Sequence, residues 1–331
     1  MSDVAFEPLQ PPAFDPAGAL QFVINAASGH NDSDATRIAI NAALATQGRS
    51  GEFWPARPGE LPRIARQAAA AASNQRSAVV AVGGDGTINA VAQAAHAQGC
   101  PMGVVPQGTF NYFARTHGIP ADATLATQAL LGARPAPVQV GLVNEQVFLV
   151  NASLGLYPDL LQDREAFKAR FGRSRLVALA AAVATVLGRH RQLHLRIETR
   201  DGAQDVRTPT LFVGNNRLQL AQVGLPEASA IDQGQIAAVM LRPIGTLALL
   251  GLMLRGALGT LGEAPTVRSF QCQRLQVSPK RGWAGRRVKV AFDGEVGWLA
   301  TPLLFQVAPR PLYLLKPAPD ADAGAPAPGT P

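Results

Sequence analysis

Short apolar runs and stretches of helical period alternate through the first 130 residues. Ala19–Ile24 predicts a first strand, and Asn31-Asp32-Ser33 offers caps for a helix over Ala35–Thr46. Glu52–Pro55 predicts a second strand and Leu61–Ala72 an alanine-rich helix. Val79-Val80-Ala81-Val82 is a buried-type strand that stops at Gly83-Gly84-Asp85-Gly86-Thr87, with Ile88–Ala95 following at helical spacing. Met102–Val105 is the next strand, and Ala123–Leu131 the next helix. This rhythm predicts a doubly wound parallel sheet covered by helices, with ligand loops at the carboxyl ends of its strands.

At Gly132–Pro137 the pattern changes. The segments that follow alternate at a period of two: Val138–Val143, Gln146–Ala152, Gln192–Thr199, Arg207–Gly214, Gln235–Leu241, Arg268–Val277, Val288–Asp293 and Leu303–Val307. With turn pairs at Asn144-Glu145 and Asp201-Gly202, they predict an antiparallel sandwich. The fold class is therefore α/β followed by β. The expected divisions are an N-terminal extension at 1–18, a nucleotide-binding α/β domain at 19–134, a β-sandwich substrate domain at 135–316 and a disordered Pro/Ala/Gly/Asp tail at 317–331. The last part of the sandwich segment has the option of returning to the first domain. Two apolar runs, Leu176–Leu187 and Ile244–Leu261, are short of the about 20 residues that a membrane span needs.

The chemistry concentrates in the glycine loop. Glycines let backbone N–H groups approach an anion, and a helix N-terminus favours a phosphate there. The spacing is neither that of a dinucleotide fingerprint nor that of a P-loop. A carboxylate at Asp85 beside such a site repels phosphate unless a divalent cation lies between them, and Mg²⁺ is the usual one. Asp85 as a simple helix cap is the competing reading. A second strand–loop–helix junction follows at Pro106-Gln107-Gly108-Thr109-Phe110-Asn111-Tyr112-Phe113-Ala114-Arg115.

The paired loops, GGDGT and then PxGTxNxFAR, resemble those of the diacylglycerol kinase-like lipid kinases, which phosphorylate diacylglycerol, sphingosine, ceramide or phosphatidylglycerol. NAD kinases share the first loop, but the second resembles the lipid-kinase branch. Where that family usually has Asp after the Asn, this chain has Tyr112. The resemblance implies a nucleotide site built from Asn25, Ser28, Gly29, Gly83, Gly84, Asp85, Gly86, Thr87, Gly108, Thr109 and Asn111, with Asp85 toward the metal. It also implies a catalytic Asp293 supported by Glu295, from the Asp-Gly-Glu at the end of Val288–Asp293. Read alone, Asp293-Gly294 is a hairpin turn. Asn151 and Gly155 resemble a family element lining the cleft between the domains, and Gly214-Asn215-Asn216 resembles another family segment. Asp232-Gln233-Gly234 resembles a loop that binds a structural cation in some relatives, so Asp232 is a second metal candidate.

The implied activity is transfer of the γ-phosphate of ATP, with Mg²⁺, to the hydroxyl of a membrane lipid. The alternatives are a NAD-kinase-like or other small-molecule kinase, and a non-catalytic lipid-binding relative. Composition adds a partner class. A formal charge of +7, from 26 Arg and 4 Lys against 23 acidic residues, suits a phosphate ligand or an anionic membrane surface. Basic clusters at Arg164–Arg175 with Arg189–Arg191, and at Lys280, Arg281, Arg286, Arg287 and Lys289, fit attachment to the inner membrane surface. Nucleic acid is not expected, because the clusters lack a binding motif and interleaved aromatics. Cys100 and Cys272 have no metal-ligand spacing, and Met1–Gly18 does not read as a signal peptide, so a cytoplasmic, peripheral location is expected. Homo-oligomerisation is left open.

Overall fold

A computed structural model describes residues 11–25, 30–57, 59–156, 158, 192–243, 245–280 and 287–317. Ser28, Gly29, the Leu176–Leu187 run, and the basic positions Arg164–Arg175, Arg189–Arg191, Arg281 and Arg286 lie outside the described residues. The chain opens with β1 (Leu20–Asn25), α1 (His30–Ala45), β2 (Gly51–Ala56), α2 (Leu61–Asn74), β3 (Val79–Gly83) and α3 (Asp85–Gln98). Then come β4 (Met102–Pro106), α4 (Tyr112–Thr116), α5 (Ala123–Gly132) and β5 (Arg134–Val138). The second half carries β6 (Gly141–Val143), β7 (Gln146–Phe148), β8 (Asn151–Gly155), β9 (Leu193–Thr199), β10 (Gly202–Thr208) and β11 (Thr210–Gly214). After α6 (Arg217–Gln222) and a 3₁₀ turn at Pro226–Gln233 come β12 (Ile236–Leu241) and α7 (Thr246–Ala257). The chain closes with β13 (Val267–Cys272), β14 (Arg274–Pro279), β15 (Arg287–Phe292), β16 (Glu295–Ala300), β17 (Leu303–Val307) and β18 (Leu312–Lys316).

Two compact units result. Residues 11–138 with 312–317 form one, and 139–311 form the other. In the first unit the strand order is β2-β1-β3-β4-β18-β5, parallel from β2 through β18 and antiparallel only between β18 and β5. β3, β4 and the first four residues of β18 are buried along their whole length, as a sheet covered on both faces requires. The sequence reads Gly132–Pro137 as a connection and Val138–Val143 as one strand; here Arg134–Val138 is an edge strand and the next strand starts at Gly141. Pro135 and Pro137 are two apart, so both missing N–H groups fall on one side of the edge strand and the ladder to β18 stands.

The order 2-1-3-4 reverses direction between β1 and β3. Open α/β sheets bind ligands at that switch point, outside the carboxyl ends of the strands. Asn25 and Gly83 stand at those ends, one residue beyond the pair Ile24 and Val82.

The second unit is a sandwich of two antiparallel sheets, β10-β9-β14-β17-β6-β7 and β13-β12-β11-β8-β15-β16. Phe148, Ile197, Leu275, Val277 and Phe305 from the first sheet meet Leu211, Val213, Ile236, Ala238 and Val290 from the second in one core. Three sequence-predicted strands are each two strands. Gln146–Ala152, Arg207–Gly214 and Arg268–Val277 break where the chain crosses from one sheet to the other, after β7, β10 and β13. Both sheets face a common core, so the apolar alternation runs through the crossing, and only Pro209 marks one of them. Ile244–Leu261 is likewise shorter as a helix than expected: α7 ends at Ala257, and a 3₁₀ turn covers Leu261–Glu263. β16, β18 and α6 are absent from the sequence reading. Among the described residues, no helix is long and apolar enough to cross a membrane.

Candidate active site

β3 runs into α3 through Gly84, which is extended and supplies no side-chain cap to the first helical N–H groups. A Cβ on Gly83 would stand 2.6 Å from Thr87 Oγ1, and one on Gly108 would stand 2.6 Å from Asn111 Oδ1 and 3.1 Å from Gly84 Cα. Glycine is therefore what lets the two loops touch. Their backbones are joined by the Gln107 N–H, which donates to the Gly83 carbonyl at 2.8 Å. Asn111 closes the second loop: its Oδ1 accepts from the Gly108 N–H at 2.9 Å, and its Nδ2 donates to the Gly108 carbonyl at 2.8 Å. Asn111 is left-handed, with φ of 47°, a conformation that Asn tolerates better than most residues.

Asp85 sits between these loops. It accepts the backbone N–H of Asn111, while burial, the larger effect, raises its carboxyl above the usual range. Its Oδ1 is buried without a hydrogen-bond partner. An orphaned carboxylate oxygen beside open helix amides fits a Mg²⁺ ion shared with phosphate oxygens, because Mg²⁺ is commonly held by one or two carboxylates plus its ligand's phosphates. Thr87 is buried and Thr109 exposed. At the position of the missing Asp, the Tyr112 ring lies parallel to Phe110 at 5.9 Å, with the Arg115 guanidinium 5.9 Å from its centroid. This ring brings no second carboxylate to the loops.

The second unit presents a different group. Asp293 and Gly294 both have positive φ, 47° and 88°, between the paired residues Phe292 and Glu295, so they form the two-residue turn of the β15–β16 hairpin. The Asp293 side chain also does more than turn the chain. It is buried, and its carboxylate accepts three backbone N–H groups: Leu149 at 2.6 Å, Val150 at 2.8 Å and Asn151 at 3.0 Å. Asn215 secures the other side of that segment, donating from Nδ2 to the Leu149 carbonyl and from its backbone N–H to the Val150 carbonyl. Asn151 donates to Gln219 Oε1, and its own Oδ1 is buried without a partner. Glu295 is exposed at the start of β16.

Asp232 belongs to an ion pair. Its Oδ2 pairs with Arg217 Nη1 at 2.8 Å on an exposed surface. No cluster of three or more His, Cys, Asp or Glu that could hold a metal occurs among the described residues. A neighbouring guanidinium makes Asp232 a poor metal ligand.

Residues 19–143 match the model of the diacylglycerol kinase catalytic domain. The chain is 29% identical to a probable lipid kinase YegS-like of Pseudomonas aeruginosa over 84% of this chain and 90% of that protein. Over most of its length the chain is similar to the diacylglycerol kinase-like lipid kinases. A shorter match, 38% identical over 28% of this chain and 32% of its partner, is to a diacylglycerol kinase of Bacillus subtilis. The fold is similar to that of a diacylglycerol kinase crystal structure from Bacillus anthracis, with a TM-score of 0.67 at 17% identity over 90% of this chain and 97% of that one. The matched segment is a kinase catalytic domain, so the chain is a kinase, with the paired glycine loops inside that segment.

The sequence does not announce the contacts that brace these loops. Gln107 donates its side chain to Thr36 Oγ1, tying the second loop to α1. The amides of Leu149, Val150 and Asn151 meet Asp293, and Gln219 meets Asn151, only through the fold. Asn216, in the segment that the resemblance singled out, caps α6 by accepting from the Gln219 N–H at 3.0 Å.

Proposed function

We propose that this protein transfers the γ-phosphate of ATP to the hydroxyl of a membrane lipid such as diacylglycerol, acting at the inner membrane surface. The observation that carries the reading is the buried, unpartnered Oδ1 of Asp85 between two glycine loops that pack backbone to backbone. When bound, Mg²⁺–ATP supplies the transferable phosphoryl group and neutralises the charge that develops on it. The Gly83–Thr87 loop and the open first turn of α3 bind the phosphate oxygens, and Asp85 Oδ1 holds the cation. Asn111 keeps the second loop in place. Asp293 accepts the proton of the acceptor hydroxyl. The three donated hydrogen bonds that fix its carboxylate make positioning its main contribution, and phosphoryl transfer through a loose transition state asks for positioning above all.

NAD kinases share the first loop, so the acceptor decides between the readings. Incubating the protein with γ-labelled ATP and either a panel of lipids in mixed micelles or NAD⁺ should put label into lipid. Label only in NADP⁺ would overturn the lipid reading, and lipid binding without any turnover would make the protein a non-catalytic relative.

A further inference from the structure

β16 is the edge strand of its sheet, and the hairpin it forms with β15 ends in the Asp293 turn. Directly paired residues share a face, so Arg287 with Ala300, Lys289 with Trp298, and Ala291 with Val296 all lie on one side. The other side, Val288, Val290 and Leu299, goes into the sandwich core. On the outer side Trp298 is 55% exposed and Val296 38%, an unusual state for a large indole. The Arg287 guanidinium donates from Nε and Nη2 to the Trp298 carbonyl, which holds a positive charge beside the ring. None of the six positions is acidic; Ala291 is buried and Lys289 half-buried, so the exposed part of this side is Arg287, Val296, Trp298 and Ala300, and Glu295 lies on the opposite side, at the turn.

An indole flanked by cations matches the interface of an anionic membrane, where the ring sits at headgroup depth and the cations meet lipid phosphates. A twofold contact with a second copy would instead set this face, with its cations and no acidic position, against the same face. Strand rise places Trp298 about 10 Å along β16 from Glu295, so a hairpin seated through Trp298 brings the Asp293 turn to the headgroup layer. We propose that the outer face of the β15–β16 hairpin is the surface by which this protein docks on anionic phospholipid, delivering Asp293 to the acceptor. This rests on the lipid-kinase reading for the role of Asp293, but not for the docking itself.

The test uses the full chain carrying Trp54→Phe and Trp283→Phe, which leaves Trp298 as the sole tryptophan. With phosphatidylglycerol vesicles its emission should move to shorter wavelength and be quenched by lipids brominated near the headgroup. Phosphatidylcholine vesicles should have little effect, and high salt should reverse the shift. In the otherwise natural chain, Arg287→Gln should weaken vesicle binding about fivefold and Trp298→Ala about tenfold. Trp298→Ala should lower turnover of vesicle-embedded acceptor to match, with turnover of a monomeric short-chain acceptor unchanged. Vesicle binding with no change in Trp298 emission would overturn the proposal. So would a Trp298 shift that follows protein concentration without vesicles, which would indicate a second copy, or equal loss on both acceptors, which would place Trp298 in the acceptor site. Trp298 insertion by a protein that phosphorylates no lipid would leave docking standing and the kinase reading refuted.

Discussion

Asp85 carries opposite demands for stability and for function. Burial raises its carboxyl, so the folded protein binds a proton there more tightly than the unfolded chain does. The cost of the ionised form is absent below the unfolded value of 3.8 and grows as pH rises through the folded value. Asp85→Asn removes that cost, and its melting temperature at pH 8 should equal or exceed that of the parent. The same change should abolish the Mg²⁺ dependence of nucleotide binding while sparing metal-free nucleotide, which titration calorimetry with and without Mg²⁺ would show. A variant that loses both equally would assign Asp85 to the helix cap alone. Gly108→Ala tests the contact between the loops. The added methyl meets Asn111 Oδ1 and the Gly84 backbone, so stability should fall by about 1–3 kcal/mol and nucleotide affinity with it. At this scale the two strand–glycine–helix junctions were legible from their spacing, whereas their reading as a nucleotide site rather than a capped turn came from the resemblance of the paired loops to lipid kinases. The partnerless state of Asp85 Oδ1 was not, because it depends on a loop more than twenty residues away.

Among the elements, the β15–β16 hairpin shows how two readings of one dipeptide coexist. Asp293-Gly294 is the turn its composition suggests, and the same Asp reaches back to amides over 140 residues earlier in the chain. No local pattern announces such a contact. Asn in place of Asp293 keeps one carbonyl oxygen but turns an NH₂ toward at least one of those amides. Asp293→Asn should therefore destabilise by about 1–3 kcal/mol, read from urea unfolding, and lower the turnover of the folded fraction by about 10²-fold or more. Glu295→Gln, at an exposed site, should leave stability unchanged. In the first unit, His117 follows α4. His117 is packed edge-on against Phe113, and burial, helped by Lys316, pushes its pKa down from 6.5 to about 4. As pH falls through 6.5 the unfolded chain takes up a proton that the folded His117 refuses until about pH 4, so stability should drop across that window. His117→Gln should lessen the drop in melting temperature between pH 7 and pH 4; an unchanged profile would contradict burial of a neutral imidazole.

For the whole molecule, the sequence rhythm separated an α/β half from a β half because periods of 3.6 and 2 are hard to confuse over long stretches. It did not show that the final strand lies between β4 and β5, since Leu312–Leu315 is an apolar run like any other and its neighbours are set by topology. The net charge of +7 belongs to this scale too, favouring phosphate ligands and anionic surfaces without choosing an acceptor. The most direct measurement is transfer of label from γ-labelled ATP to diacylglycerol in phosphatidylglycerol vesicles, run with and without Mg²⁺ on the parent protein and on Asp85→Asn. The account predicts labelled lipid only with the parent and only with Mg²⁺. Labelled lipid from Asp85→Asn at the parent rate, or none from the parent under any condition, would contradict it.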